Sequence, residues 1–341
     1  MSTAPLELSV VTMLYRSEGY LREFHARALA AATALTPQFE LVYVDDGSPD
    51  ASAATVRELA AGDPRVVLVE LSRNFGHHRA AVAGLTHARG RRVFILDVDL
   101  EERPEWLAEF AAQMDRSGAD VVFGVSVVRK GTFFRRVLGG VFWKLFNALS
   151  DVRIPENPCT VRLMSRRYVD ALLTLPDRNL FLAGSYAWLG FRQDPRPVEK
   201  GLRRTASTYT ARRLIALFID ALTSFTSYPL RIIFTTGIAI ATLALVSGST
   251  LALYKLVHPD VISLGWASIV VSIWFLGGLT ISFLGVIGIY LAKVFNETKG
   301  RPLYVVKAVH GRDARPRHRI RAISRPQPGT ARTSPITTRT C

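Results

Sequence analysis

F-I-L-D-V-D-L-E-E-R-P-E-W, residues Phe94 to Trp106, carries the apolar run R-R-V-F-I-L straight into two carboxylates spaced one residue apart. In an extended strand, side chains at i and i+2 share a face. Asp97 and Asp99 would then stand side by side, and like charges that close repel unless a positive charge stands between them. The stretch has two readings: a strand ending in a solvated acidic turn, or a pair of ligands for a divalent metal ion.

The flanking sequence bears on that choice. From the start to about Val128, short β-rich runs alternate with amphipathic helical stretches. The runs are Leu8–Leu14, Phe39–Val44, Val66–Leu71, Val93–Leu96 and Asp120–Val125. Near-continuous apolar strands separated by helices predict an α/β domain, a mainly parallel Rossmann-like sheet covered on both faces. Ligands of such sheets bind beyond the carboxyl ends of the strands. A second strand also ends in acid, V-Y-V-D-D-G-S-P-D, which brings Asp45 and Asp46 to that edge. Ser48 is the expected N-cap of the next helix, with Pro49 at its first position. Acid at the ends of two separate strands favours the ligand reading.

The rest of the chain is basic and apolar. It has 341 residues, a formal net charge of +15 and 49% hydrophobic residues. The charge could serve nucleic acid, but it lies near two long apolar segments, so anionic lipid is the expected partner and nucleic acid is not. The two cysteines, Cys159 and Cys341, imply no disulfide framework. The N-terminal residues show no secretory signal pattern. Ile232–Tyr254 and Val261–Ala292 contain no charged residue, and each exceeds the roughly 20 residues needed to cross a bilayer. Arg203, Arg204, Arg212, Arg213 and Arg231 precede the first, and Lys293, Lys299, Arg301 and Lys307 follow the second. This bias places the sheet domain and the C-terminus in the cytoplasm, within a multi-pass protein of the cell (inner) membrane. Leu214, Phe218, Leu222 and Phe225 form a helical apolar stripe, read as an interfacial helix or as a core helix. The expected organisation is a sheet domain over 1–211, an amphipathic helix over 212–228, two transmembrane helices over 229–292, a cytosolic juxtamembrane segment over 293–310 and a disordered basic tail over 311–341.

A cytosolic sheet with acidic strand ends, joined to membrane helices, suits a reaction between a soluble phosphorylated donor and a lipid. Mg²⁺ or Mn²⁺ prefers carboxylate oxygens, with substrate phosphates completing the shell. Asp97 and Asp99 are the expected metal ligands, with the ion offsetting charge on a departing nucleoside diphosphate.

The order V-V-T-M-L-Y-R-S-E, V-D-D-G-S-P-D, S-R-N-F-G-H-H-R-A-A-V-A-G-L and D-V-D-L-E-E-R-P-E resembles glycosyltransferase family 2. More closely it resembles the polyprenyl-phosphate glycosyltransferases, and the likeness runs from Leu8 to about Val306. The resemblance implies a GT-A fold and inverting transfer of one sugar from a nucleotide sugar to polyprenyl phosphate, for cell-envelope glycans. It also implies a homo-oligomer, a tetramer in some relatives. By the same resemblance, Tyr15, Asp45, Asp46 and Asp97 line the nucleotide sugar, and Asp97, Asp99 and Arg162 are catalytic. Arg129, Lys130, Arg135, Arg136 and Arg203 would bind the acceptor phosphate. Glu101 stands where many relatives have Gln.

Two departures matter. The first strand runs M-L-Y-R-S-E where relatives read P-x-Y/F-N-E. C-T-V-R-L replaces G-D-F-R-L, so Thr160 occupies the position of an acidic residue often assigned as the base. Threonine cannot act as a base near neutral pH, whereas a lipid phosphate, with a second pKa of about 6, already carries the attacking charge. A catalytically silent scaffold remains the alternative from outside enzymology, and a processive polysaccharide synthase the alternative within it. His77 and His78 point about 100° apart on a helix and chelate one ion poorly, so they are read as surface or substrate-contacting residues. Cys159 is read as a packing residue, and Phe142, Trp143 and Phe146 as core or membrane-facing aromatics.

Overall fold

The computed structural model describes residues 5–127, 157–175, 177, 181–201, 228–257 and 266–311. Its centre is one eight-stranded sheet in the order β7-β5-β6-β4-β1-β2-β3-β8. The strands are β1 (Leu8–Leu14), β2 (Phe39–Asp45), β3 (Val66–Leu71), β4 (Arg92–Ile95), β5 (Val121–Ser126), β6 (Pro158–Ser165), β7 (Gln193–Val198) and β8 (Val306–His310). β4, β1, β2 and β3 run parallel, β6 is antiparallel to both neighbours, and β8 closes the β3 edge antiparallel. The expected mainly parallel α/β sheet is therefore observed.

Helices cover both faces: α1 (Glu18–Leu35), α2 (Ser52–Gly62), α3 (His77–His87), α4 (Trp106–Ser117), α5 (Arg166–Thr174) and α6 (Leu182–Trp188). The strand period of two sorts the core. Leu8 and Val10 pack with Phe24, Val56 and Phe110 from α1, α2 and α4 on one face. Val11 and Met13 pack with Ala80, Leu85 and Tyr168 from α3 and α5 on the other. Burial on both faces explains why β1, β2 and β3 read as continuous apolar runs. Gly84 lets α3 approach closely, since a Cβ there would stand 2.4 Å from Val11 Cγ1.

Several expectations need correction. β4 ends at Ile95, so Asp97 and Asp99 lie in the following turn and not on a shared strand face. Ser48 is not a helix N-cap: α2 begins at Ser52, and the Asp50 carboxylate accepts that residue's N–H at 3.2 Å. Ser48 instead donates its N–H to the Asp45 carboxylate at 3.3 Å. The strands β6, β7 and β8 were not anticipated. β8 draws part of the segment expected to be juxtamembrane into the sheet.

Two long helices follow, α7 (Tyr228–Val257) and α8 (Trp266–Thr298), over the stretches read as membrane spans. Among the described residues, Ser272–Thr298 of α8 is long and apolar enough to cross a membrane, whereas Leu230–Ile240 of α7 is a shorter apolar stretch. The helices expose large apolar side chains, including Phe234, Trp274 and Ile281. Apart from Tyr228, the expected amphipathic helix over 212–228 lies outside the described residues. So do the tail from 312 onward, Phe142, Trp143, Phe146 and the basic residues Arg129, Lys130, Arg135, Arg136 and Arg203.

Candidate active site

The topology gathers chemistry at one edge. Tyr15 follows β1, Asp45 ends β2, and the Asp97–Asp99 turn follows β4. His77 opens α3 just after β3. β6 runs antiparallel, so its first residues Cys159 and Thr160 reach the same edge, and β7, parallel to β5, delivers Lys200 there.

Asp97 forms the centre of the site. Burial raises its pKa above the ordinary carboxylate value, and the Asp99 charge raises it further. Lys200 and a hydrogen bond from the Thr160 side chain act the other way. The Asp97 side chain retains 28% exposure, with His77 Nε2 3.6 Å from Oδ1. Asp99 Oδ1 accepts the Glu101 N–H at 3.1 Å, which tightens the turn. Leu100, directly after, has a φ of 62°, a left-handed conformation unusual for leucine. Arg16 and Asn157, the other non-glycine residues with positive φ among the described residues, also border this edge. Strain concentrated there is typical of a site whose geometry the surroundings enforce.

Two mutually repelling carboxylates in a partly shielded turn, both hard oxygen donors, fit Mg²⁺ or Mn²⁺. Among the described residues, no group of three His, Cys, Asp or Glu could hold an ion alone. The donor set matches a metal that takes its remaining ligands from substrate phosphate and water.

Sequence reasoning missed Glu102 and Lys200. Glu102 is fully buried behind the turn. Its Oε2 accepts the Asp97 N–H at 3.3 Å and its Oε1 accepts the Thr160 N–H at 3.0 Å. Lys200 Nζ lies 2.8 Å from Oε1. Burial, followed by the Asp97 charge, raises the Glu102 pKa. Burial opposes the Lys200 charge, but Glu102, Cys159 and Asp97 together outweigh it and raise the ammonium's pKa. The available signal was the density of acid in D-V-D-L-E-E, too great for one turn without a cation from elsewhere in the chain.

Arg162 is buried at 4% exposure, with Nη2 donating to the Cys159 carbonyl at 3.1 Å and Nε to that of Thr160 at 3.3 Å. Its guanidinium carbon sits 3.6 Å from the Tyr186 ring centroid. It still contributes to the wall of a cavity of about 140 Å³, together with His77, His78, Thr160 and Tyr186. Burial pushes the Cys159 thiol up to about 12, which matches a packing role and not a nucleophile. Asp45 and Asp46 are also buried. Asp46 spends its carboxylate on the N–H groups of Phe75 and Gly76, at 2.7 and 2.9 Å, and so shapes the N-F-G loop that leads into α3. Tyr15 is 47% exposed, and the Arg16 guanidinium carbon lies 5.7 Å from its ring centroid.

The profile of Glycosyl transferase family 2 matches residues 9–173. A glycosyltransferase-named protein of Mycobacterium tuberculosis is 43% identical over 308 residues, covering 90% of each chain. A prophage bactoprenol glucosyl transferase homolog of Escherichia coli is 32% identical over 306 residues, covering 89% of this chain and 99% of that one. Among solved structures, glucosyl-3-phosphoglycerate synthase from Mycobacterium tuberculosis, in complex with Mn²⁺, uridine diphosphate and phosphoglyceric acid, aligns at a TM-score of 0.46 and 20% identity. That alignment covers 64% of this chain and 78% of the other. By sequence, this chain belongs to glycosyl transferase family 2 and is a glycosyltransferase with a GT-A-like sheet.

Proposed function

We propose that this glycosyltransferase moves one sugar, with inversion, from a nucleotide-sugar donor to a polyprenyl phosphate at the cytoplasmic face of the cell membrane. The observation that carries the reading is a connection: the apolar helix α8 ends at Thr298 and the chain returns at Val306 as β8 of the catalytic sheet. A soluble-donor site and a lipid-embedded element are thus parts of one unit. Relatives named for transfer to bactoprenol, aligned along nearly their whole length, support the same reading.

In this scheme Asp97 and Asp99 hold Mg²⁺ or Mn²⁺, which when bound offsets the charge of the departing diphosphate. Tyr15 offers an exposed ring to the nucleoside, while Asp45 and Asp46 order the loops around it. Arg162, fixed by two carbonyls and the Tyr186 ring, presents a rigid positive edge to the cavity. Arg129, Lys130, Arg135, Arg136 and Arg203 supply the remaining cations for the acceptor phosphate. The acceptor arrives ionised, so it needs positioning more than deprotonation. Thr160 then acts on Asp97 and is not a base.

In this reading both apolar segments within 229–292 span the membrane and both termini are cytoplasmic, while Val306–His310 of the expected juxtamembrane segment belongs to the sheet domain as β8. The test incubates membranes containing the protein with polyprenyl phosphate and a panel of labelled nucleotide sugars. Metal-dependent label in the lipid phase is expected from at least one donor. Donor hydrolysis without lipid product across the panel would refute the acceptor.

A further inference from the structure

The turn bearing Asp97 and Asp99 is gripped from behind at several points. Glu102 ties the N–H of Asp97 to that of Thr160, and Lys200 binds the same carboxylate. The next residue, Gly201, donates its N–H to the Glu101 carbonyl at 2.9 Å. Between these anchors sits Leu100 with its left-handed φ of 62°. The Glu102 side chain is 0% exposed and that of Lys200 22% exposed. A charge at this depth persists in a fold only when it is both paired and hydrogen-bonded. Three separate pieces of chain, the turn, β6 and the segment after β7, meet on this one carboxylate.

A buried ion pair is a poor device for stability alone, since apolar residues of similar volume often serve as well. Its value lies in holding one arrangement. We propose that Glu102 and Lys200 are positioning residues of the donor site: they set the backbone geometry that presents Asp97 and Asp99 to a divalent cation bound with a nucleoside diphosphate. Neither touches the reacting atoms. The inference rests on the reading of Asp97 and Asp99 as cation ligands, and it makes the segment after β7 part of the donor site.

The test measures Mn²⁺ binding to the full-length protein in detergent, by the electron paramagnetic resonance signal of free Mn²⁺, with uridine or guanosine diphosphate present. Glu102→Gln and Lys200→Met are each expected to bind Mn²⁺ more weakly by about tenfold or more, as for other residues that orient metal ligands. Each single variant leaves a buried group without its charge partner and should also lower the metal-free melting temperature, so affinities are compared on folded protein well below the lowest transition. Lys200→Arg, which keeps a cation on Glu102, should restore most of the affinity. Folded single variants that bind Mn²⁺ as tightly as the parent would overturn the proposal. If the single variants do not fold, the double variant Glu102→Gln/Lys200→Met, which leaves no unpaired buried charge, decides the matter. Weak binding by it supports positioning, and parent-like binding overturns it. Because the assay involves no acceptor, failure of the lipid-phosphate reading leaves this result untouched. A parent protein that binds no Mn²⁺ with either nucleotide would overturn the metal reading and this proposal together.

Discussion

Asp97 and Asp99 differ in their surroundings although they sit two residues apart. Asp97 is walled by Glu102, Thr160 and His77, whereas Asp99 spends one oxygen on closing its own turn. Replacing either by Asn keeps the shape and removes the charge, so transfer is expected to fall by about a thousandfold or more if the carboxylates hold the metal. Circular dichroism should stay unchanged, and full activity in both variants, or under exhaustive chelation, would rule out a metal role. Thr160 and Arg162 separate acceptor chemistry from architecture. Thr160→Val removes a hydrogen bond to Asp97 and no base, so transfer should drop by less than about tenfold. Arg162→Ala leaves two carbonyls and the Tyr186 face without their partner, and should cost about 2–4 kcal/mol of stability in addition to activity. Transfer per folded molecule is therefore the quantity to compare. A dead Thr160→Val beside a normal Arg162→Ala would mean that the threonine hydroxyl takes part in the chemistry.

Opposite edges of the sheet carry different duties. At the amino edge, buried Glu40 accepts from Ser9 Oγ at 2.7 Å and from the Arg89 N–H at 2.6 Å, and holds the Arg89 guanidinium at 2.9 Å. Glu40→Ala strands those donors far from the site. It should cost about 3 kcal/mol in denaturant unfolding with little change in transfer per folded molecule. At the carboxyl edge, Gly47 has a φ of 66°, and a Cβ there would lie 2.6 Å from the Arg73 carbonyl carbon, so Gly47→Ala should both destabilise the loop and weaken donor binding. The β3–β8 edge is electrostatic. The Arg57 hydrogen bond holds the Glu70 carboxyl below its usual 4.5, against the opposing effect of burial. Because the folded pKa is the lower one, this stabilisation is present above about pH 4.5 and is lost as pH falls through the folded value. The stability gap between wild type and Glu70→Gln, from unfolding at several pH values, should therefore close on acidification; a gap that widens would contradict the assignment. The parallel half of this architecture was legible because buried strands read as apolar runs: β1 and β3 match their predicted limits residue for residue. β6 and β7 were not, since P-C-T-V-R-L-M-S and Q-D-P-R-P-V mix polar and proline residues that only antiparallel pairing and a sheet edge accommodate. The acidic turn was recognised by composition. Glu102 and Lys200 were missed because 98 positions separate them in sequence and no local pattern joins such residues.

At the scale of the whole molecule, the sheet and the apolar helices face different solvents in the proposed scheme. The site edge collects carboxylates and cations suited to a phosphorylated donor, and α8 exposes Ile273, Trp274 and Phe275 to its surroundings. A helix of this kind is stable in hydrocarbon, where its backbone is satisfied internally and its side chains need no water. If α8 spans, the short return from α8 to β8 holds the sheet near the membrane surface, which is what the proposed lipid-phosphate acceptor requires. The proposed orientation rests on charge bias: arginines and lysines flank the outer ends of both apolar segments, while the stretch between them holds Lys255, His258 and Asp260 in sequence. If both segments span, a cysteine introduced at His258 should react with an impermeant maleimide applied to intact cells. One introduced at Ser2 should react only after the membrane is opened. A parent protein with Cys159 and Cys341 replaced by serine gives the clean background, since Cys159 is buried and Cys341 is expected on the inner side. Labelling of Ser2 and not His258 would invert the molecule and remove its access to cytosolic nucleotide sugar. Labelling of both, or of neither, would put the segment between the helices on the same side as Ser2; because α8 feeds β8 and β8 shares a sheet with the N-terminal strands, neither α7 nor α8 would then cross, and both would associate with one face of the bilayer.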